Sequence, residues 1–514
     1  MSSLDSSAAV SSAPSGFNGR TIQFGFENTY SRLPELFYAR LNPTPVAAPQ
    51  LVKVNVELAR DLGLDPDALR SPEGVEILAG NRMAEGAEPV ALAYAGHQFG
   101  YFVPQLGDGR AILLGEVMGC EGARYDIQLK GSGPTPFSRG GDGRAALGPV
   151  LREYIVSESM AVLGVPTTRA LAAVTTGEQV LRDTALPGAV LTRIAASHLR
   201  VGTFQYFAAR RDVESVRLLA DYAIARHYPE ADHAKQPYLA LLEGIVARQA
   251  QLIAKWMLIG FIHGVMNTDN TSISGETIDY GPCAFMEAYD PAAVFSSIDH
   301  GGRYAYGNQP RAALWNLARL AEALLPVLAQ ESKSEEGAVG AANEVLASFE
   351  SQFEAARIAG LRRKLGLYTE RQGDADLADD LLQRMAANRA DFTLTFRILC
   401  DAAIGPDGDA GVRTLFSDPG AYDGWAAGWR RRLEEERTNG TARAVAMRAV
   451  NPAFIPRNHL VEAAIAAATR QQDFHQFEDL LDAVSRPYVD RPGLEKYAIP
   501  ARPEECVLQT FCGT

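Results

Sequence analysis

The chain changes texture near residue 203, and that change limits what it can fold into. From 96 to about 200 glycine is dense (GHQFG, GDGR, GSG, RGGDGR), with short apolar runs between the glycines. Beyond 203 the apolar residues recur at helical spacing. The clearest run lies between Tyr238 and Phe261, where Leu242, Ile245, Val246, Gln249, Leu252, Ile253, Trp256 and Met257 form one stripe at intervals of three and four. Such a stripe marks a long helix with one buried face. His263 closes that predicted helix, and the polar loop HGVMNTDNTSISGETIDYGP follows at once. The expected class is α+β: a small Gly-rich β lobe, a larger helical lobe, and the polar loop at the cleft between them.

Local signals fill in this outline. Ala111–Val117 and Tyr125–Lys130 read as strands joined by the turn MGCEGA. Pro149–Leu163 reads as a helix, with proline suited to its first turn. Leu171–Thr175 and Ala189–Ile194 read as two more strands, separated by TTGEQVLRDTALPG. Further helices are expected around Leu314–Leu328 and Val461–Thr469, and the run RRRLEEE (430–436) as a solvated helix face. The expected divisions are a disordered tail (1–18), an α-rich lead-in (19–95), a β lobe (96–202), a helical core with the polar loop (203–330) and a helical extension (331–514). No internal repeat is found.

Composition removes several classes of function. With 49 basic against 62 acidic residues the net charge is −13, so the surface as a whole repels phosphate backbones and general nucleic-acid binding is not expected. No stretch approaches the ~20 uninterrupted apolar residues of a membrane span. Five cysteines without a C-x-x-C pair give no zinc site by spacing and fit a reducing compartment, so a cytoplasmic location is expected. Only seven of the basic residues are lysine (53, 130, 235, 255, 333, 364, 496), so a lysine retained in a strand is a candidate for special chemistry.

Lys130 is such a residue. It ends an apolar strand, precedes Gly131-Ser132-Gly133, and is followed 23 residues later by Glu153 on the next helix. The plainer reading is a solvated strand-end lysine. The chemical reading is the strand-lysine and helix-glutamate pair with which kinases hold ATP phosphates, the carboxylate fixing a flexible ammonium. Arg152 is a competing neighbour for Glu153. Gly107-Asp108-Gly109-Arg110 opens a strand, either as a plain hairpin turn or as backbone N–H groups that approach phosphate oxygens. No Walker A sequence occurs. Ser138–Arg144 (SRGGDGR) is either a flexible surface loop or an anion-binding loop at a helix N-terminus. Arg193, inside the strand AVLTRI, needs a partner. It serves either an internal salt bridge or, with Arg200, a phosphate clamp.

The polar loop carries the densest signal. Asp269-Asn270 is followed by Asp279-Tyr280-Gly281, an Asn and a downstream Asp-aromatic-Gly of the kind that holds Mg²⁺ on phosphates. An Asx-turn is the bland alternative for the Asp-Asn pair. Kinase-like sites place their base as His-x-Asp, and here the stretch begins His263-Gly264-Val265. Valine stands at the base position, and Asp269 is the nearest carboxylate. A nucleotide site without the kinase base suggests a pseudokinase or a different transfer.

The runs YAGHQFGYFVPQLGDGRAILLGEV, DIQLKGSGPTPFSRGGDGRAALGPVLREY, LTRIAASHLRVGTFQYFA, GVMNTDN and DYGPCAFMEAYDP, with NPAFIPRNHLVE near 455, resemble the selenoprotein O (bacterial YdiU) family across roughly residues 20–514. The resemblance implies a protein-kinase-like fold with ATP in a flipped orientation, and transfer of AMP to Ser, Thr or Tyr hydroxyls of proteins with release of pyrophosphate. By position it implies Asp269 as proton acceptor and Asn270 and Asp279 as ligands of Mg²⁺ or Mn²⁺. It implies Gly107, Gly109, Arg110, Lys130, Asp142, Gly143, Arg193, Arg200 and Asp279 as nucleotide contacts, with Glu153 orienting Lys130. Cys512 occupies the place where some members carry selenocysteine, which implies a redox role. Members can pair it with a cysteine after the metal site; here that loop, DPAAVFSSIDH, has none, and Cys283 lies earlier. The alternatives to AMP transfer are a kinase-like phosphotransferase and a non-catalytic nucleotide-binding module.

Overall fold

A computed structural model describes residues 22–511. The expected tail at 1–18 and Cys512 lie outside the described residues. The molecule is α+β, with a sheet-rich N-terminal region and a helical C-terminal region.

The strands are β1 (Tyr38–Arg40), β2 (Gln50–Val54), β3 (Val90–Leu92), β4 (Gly96–Gln98), β5 (Tyr101–Val103), β6 (Ala111–Met118), β7 (Arg124–Lys130), β8 (Ala145–Ala146), β9 (Arg169–Leu181), β10 (Ala185–Ala195), β11 (Phe261–Ile262) and β12 (Ala284–Phe285). One antiparallel sheet runs β1-β3-β6-β7-β10-β9-β2, with β8 against β10; β4-β5 and β11-β12 are separate two-stranded pairs. The expected hairpin β6-β7 sits at its centre. β9 and β10 are longer than their apolar cores predict, because Gln179–Leu181 pairs with Ala185–Pro187 and leaves a turn of only 182–184. Gly177, Pro187 and Gly188 flank that outer half and read as turn signals, which hides its pairing from the sequence pattern.

The lead-in is α-helical only at α1 (Val56–Asp61), α2 (Pro66–Arg70) and α3 (Pro72–Ala79). Its other parts supply β1, β2 and β3 to the main sheet. These strands are three to five residues long, too short for periodicity to expose them. The three helices cover one sheet face, where Leu58, Leu69 and Leu78 meet Leu114, Ile127 and Val174. α4 (Leu147–Val162) covers the other, burying Leu151, Tyr154 and Ile155 against Ala173 and Leu191.

The helical region begins with α5 (Val201–Ala208), α6 (Val213–His227) and α7 (Pro237–Leu258). The stripe predicted for the long helix is buried in α7, from Leu241 to Trp256. The helix ends at Leu258, not at His263: Gly260 takes a positive φ of 72°, and Phe261–Ile262 pairs with Ala284–Phe285. α8 (Gln309–Ser332) and α9 (Glu335–Lys364) pack on α7. The segment Tyr306–Ser332 is long and apolar enough to cross a membrane, yet its Leu317, Leu320, Leu324 and Val327 are buried in the core. The expected C-terminal extension divides. Helices up to Arg448 pack beside α9, whereas Asn458–Gln471 and His475–Ser485 return to α4. The RRRLEEE run is not simply solvated. Arg432 is buried on Asp374 (2.7 Å), and Arg432 and Arg443 hold Glu436, so half the run is an internal ion-pair network.

Lys364 forms no ion pair among the described residues. Lys364, the last residue of α9, is buried with its Nζ 4.4 Å from the Phe396 ring centre and 5.6 Å from that of Phe392. Burial pushes its ammonium down to about 7, with Cys400 opposing. In the unfolded chain it titrates near 10.5. Between these values the unfolded state binds the extra proton, so this residue makes stability rise with pH from about 7 to about 10.5. Lys364→Met is expected to raise stability at pH 7 by about 1–2 kcal/mol and to flatten that rise. Urea unfolding at pH 7 and pH 10 measures both effects.

Candidate active site

The sheet-rich and helical regions meet at a cleft of ≈ 850 Å³. Every candidate residue lines it: Gly107, Gly109, Arg110, Lys130, Asp142, Gly143, Glu153, Arg193, Arg200, Asp269, Asn270 and Asp279. The geometry brings them together.

Lys130, at the end of β7, projects to α4 and to the polar loop. Its Nζ lies 2.5 Å from Glu153 and 3.0 Å from Asp279. Arg152 does not compete for Glu153, because it turns away to pair with Glu462. Arg193 is 2% exposed and has both characters expected of it. It is an internal salt bridge, with Nη1 2.6 Å from Asp279 and 3.3 Å from Glu153, and it borders the cleft. Its Nε and Nη2 both donate to Gln128 Oε1, at 3.1 and 2.6 Å. Arg200 follows β10; its Nη1 donates to Asp279 Oδ2 at 2.7 Å and to the Asp269 carbonyl at 2.6 Å. The Tyr94 ring, 4.7 Å from its Cζ, backs the guanidinium.

Asp279 is therefore held by three cations from three parts of the chain. Burial alone raises a carboxyl, but Lys130, Arg193 and Arg200 outweigh it and hold Asp279 well below the usual carboxylate range. Its φ of +63° is rare for a residue with a Cβ and is sustained by these contacts. His263 supports the loop from behind, its buried Nε2 2.8 Å from the Ile278 carbonyl.

Asp269 and Asn270 lie in a single 3-10 turn, Thr268–Asn270. Asp269 is buried, which pushes its carboxyl up to about 6, with the Gln98 hydrogen bond and Arg200 pulling the other way. Asn270 Nδ2 donates to the Val265 carbonyl at 3.0 Å, which turns the amide so that its oxygen is the group left for other contacts. Val265 is buried, an apolar side chain where the sequence pattern expects the base of a kinase-like site.

The glycine-rich loops are shaped by close approach. A Cβ at Gly107 (φ +84°) would strike the Phe137 ring, and one at Gly143 (φ +64°) would strike the Gly133 carbonyl. Asp142 caps the Arg144 amide at 2.9 Å and pairs with Arg182 at 2.8 Å. Arg144 is committed to structure, donating to the Thr44 and Pro45 carbonyls at 2.9 Å. The SRGGDGR loop does not cap α4 directly, because β8 intervenes. Sequence reasoning missed Gln98, Gln128, Tyr94 and the buried Asp108, which accepts from Leu92 N and Gln128. Only the motifs GHQFG and GDGR pointed near them.

Because Arg193 serves Asp279, Glu153 and Gln128 at once, Arg193→Ala leaves the buried Glu153 and the half-buried Asp279 each short of a partner. A destabilisation of about 3–5 kcal/mol is expected, read as a lower thermal unfolding temperature. Arg193→Lys is expected to recover only part of it, since an ammonium cannot span the same three groups.

Comparison with known proteins matches this chain over nearly its whole length. The family model for protein adenylyltransferase SelO covers residues 20–485. The protein nucleotidyltransferase YdiU of Methylorubrum extorquens (strain PA1) is 66% identical over 500 residues, covering 96% of this chain and 100% of the relative. Proteins of the same name from Rhodopseudomonas palustris (strain BisB5) and Bradyrhizobium diazoefficiens are 65% and 64% identical over 494 residues, with the same coverage. The chain is thus an enzyme of the nucleotidyltransferase class, and it belongs to the protein adenylyltransferase SelO family.

Proposed function

We propose that the enzyme transfers AMP from ATP to a Ser, Thr or Tyr hydroxyl of an acceptor protein, on a bilobal fold of the protein-kinase kind with the nucleotide flipped. The observation that carries this reading is the convergence of all the candidate residues on one cleft, with Asp269 in place of a carboxylate at position 265.

The acceptor hydroxyl oxygen forms a bond to the α-phosphorus. Its proton passes to the Asp269 carboxylate. The bond from the α-phosphorus to the bridging oxygen breaks, and pyrophosphate leaves with the electron pair. Lys130, Arg193 and Arg200, with Arg110 at the mouth of β6, supply positive charge where the leaving group's charge develops. Glu153 fixes Lys130 at 2.5 Å.

The donors at Asn270 and Asp279 are of the kind a hard divalent cation takes, and since Lys130, Arg193 and Arg200 occupy both Asp279 oxygens, such an ion would displace one of them. One is an amide oxygen and the other a carboxylate kept ionised by its neighbours, and both are oxygen ligands of the type Mg²⁺ or Mn²⁺ takes alongside phosphates. Such an ion, when bound, neutralises charge on the phosphates.

Labelled ATP tests the reaction. Incubated with a protein mixture and Mg²⁺, the enzyme is expected to label protein from α-labelled ATP and not from γ-labelled ATP. Label from γ alone would establish a phosphotransferase, and label from neither would establish a binding module. Asp269→Ala is expected to lower the rate by about 10²–10⁴-fold. Asp279→Ala is expected to abolish metal-dependent transfer; full activity in that variant would remove the metal assignment.

A further inference from the structure

The motif GHQFG forms β4 and the turn of the hairpin Gly96–Val103, which stands apart from the main sheet. Its tip adds little to the core, since Tyr101 and Phe102 are exposed. Its inner strand is nevertheless stitched to the turn that carries Asp269. His97 N donates to Thr268 Oγ1 at 2.6 Å, and Phe99 N donates to Asn267 Oδ1 at 3.0 Å. Gln205 closes the ring, accepting from Thr268 Oγ1 at 2.6 Å and meeting His97 Nδ1 at 2.8 Å. Phe99 takes a φ of +51°, a conformation a bulky residue adopts only where its surroundings impose it.

Between these pins two residues face the Asp269 carboxylate. Gln98 Nε2 donates to Asp269 Oδ2 at 3.0 Å. Gly96 lies so close that a Cβ there would stand 2.6 Å from Asp269 Oδ1. Oδ1 itself is buried and takes no hydrogen bond. The carboxylate is thus gripped at one oxygen and has room at the other only because residue 96 has no side chain.

We propose that Gln98 is a positioning residue for the proton acceptor: its amide fixes the Asp269 carboxylate in the plane that meets the acceptor hydroxyl, and Gly96 leaves the space that plane requires. This rests on the reading of Asp269 as the group that takes the hydroxyl proton. An aspartate's terminal torsion is broad when nothing holds it. A group misplaced by about 1 Å can cost about 10²-fold in rate. Gln98 borders the cleft itself, and its role in this scheme is exerted through Asp269.

The test uses the full-length enzyme, α-labelled ATP and a protein mixture, with the initial rate taken across ATP concentrations. Gln98→Ala is expected to lower the rate at saturating ATP by about 10–100-fold with the KM for ATP unchanged. Gln98→Glu keeps the shape but sets a carboxylate against Asp269, and is expected to fall at least as far. Gly96→Ala is expected to reduce the rate in the same way, with the KM for ATP again unchanged. A wild-type rate in Gln98→Ala or Gln98→Glu overturns the proposal, as does a loss expressed as a raised KM for ATP. The underlying reading fails separately: if Asp269→Ala keeps the full rate, Asp269 is not the acceptor, whereas an inactive Asp269→Ala beside a fully active Gln98→Ala removes the positioning role alone.

Discussion

The carboxylate of Asp279 is the point on which the rest of the cleft depends. Lys130 comes to it from the end of β7, Arg193 from β10, and Arg200 from the segment leading into α5. Asp279 itself belongs to the loop after α7. One half-buried anion thus ties the central strands of the sheet to the start of the helical region. The arrangement answers two needs. Three cations confined together repel one another, and Asp279 offsets them. A buried carboxylate without partners loses its charge, and the cations prevent that. Glu153 adds the second anion, reaching both Lys130 and Arg193 from α4. Removing any one member leaves the others under-compensated, so the cluster behaves as a unit.

Much of this was legible in the sequence where charge was out of place. Lys130 stood out because lysine is rare here and because it closes an apolar strand. Arg193 stood out because a guanidinium inside AVLTRI demands a partner. The Asp269-Asn270 and Asp279-Tyr280-Gly281 spacing stood out because it follows a long apolar stripe. The supporting groups did not. Gln98 and Gln128 are neutral amides with no period, and their importance lies in hydrogen bonds across about 65 to 171 residues of chain. Tyr94 reads as an ordinary core aromatic until its ring is seen behind Arg200.

The fold was legible to the same limit. Long apolar runs gave β6, β7, α4 and α7 almost as they stand. The three-residue strands β1 and β3 could not be found, since their pairing is decided by the sheet they join. The same holds for the return of the C-terminal helices to α4. Their apolar faces predict helices, but nothing local says that Phe477 meets Tyr154 (ring centres 5.6 Å apart) rather than the neighbouring bundle. Periodicity reports that a face is buried and is silent about against what.

The net charge of −13 now has a more definite meaning. It does not leave the cleft acidic, nor are the three inner cations of the cleft bare. Lys130, Arg193 and Arg200 are matched by Glu153 and Asp279, with Asp108 3.9 Å from Arg200. A polyanion that enters must therefore exchange with carboxylates already in place, so net charge alone gives it little attraction. A ligand gains most when its charge lies along the line from Lys130 to Arg200, and when it brings a countercharge for the carboxylates it displaces. Phosphate-rich molecules lacking that shape meet an acidic surface outside and a neutralised cluster inside. Selectivity in such a site comes from the geometry of exchange, so a polyphosphate of the right shape can be accommodated in the cleft of a protein whose net charge is negative.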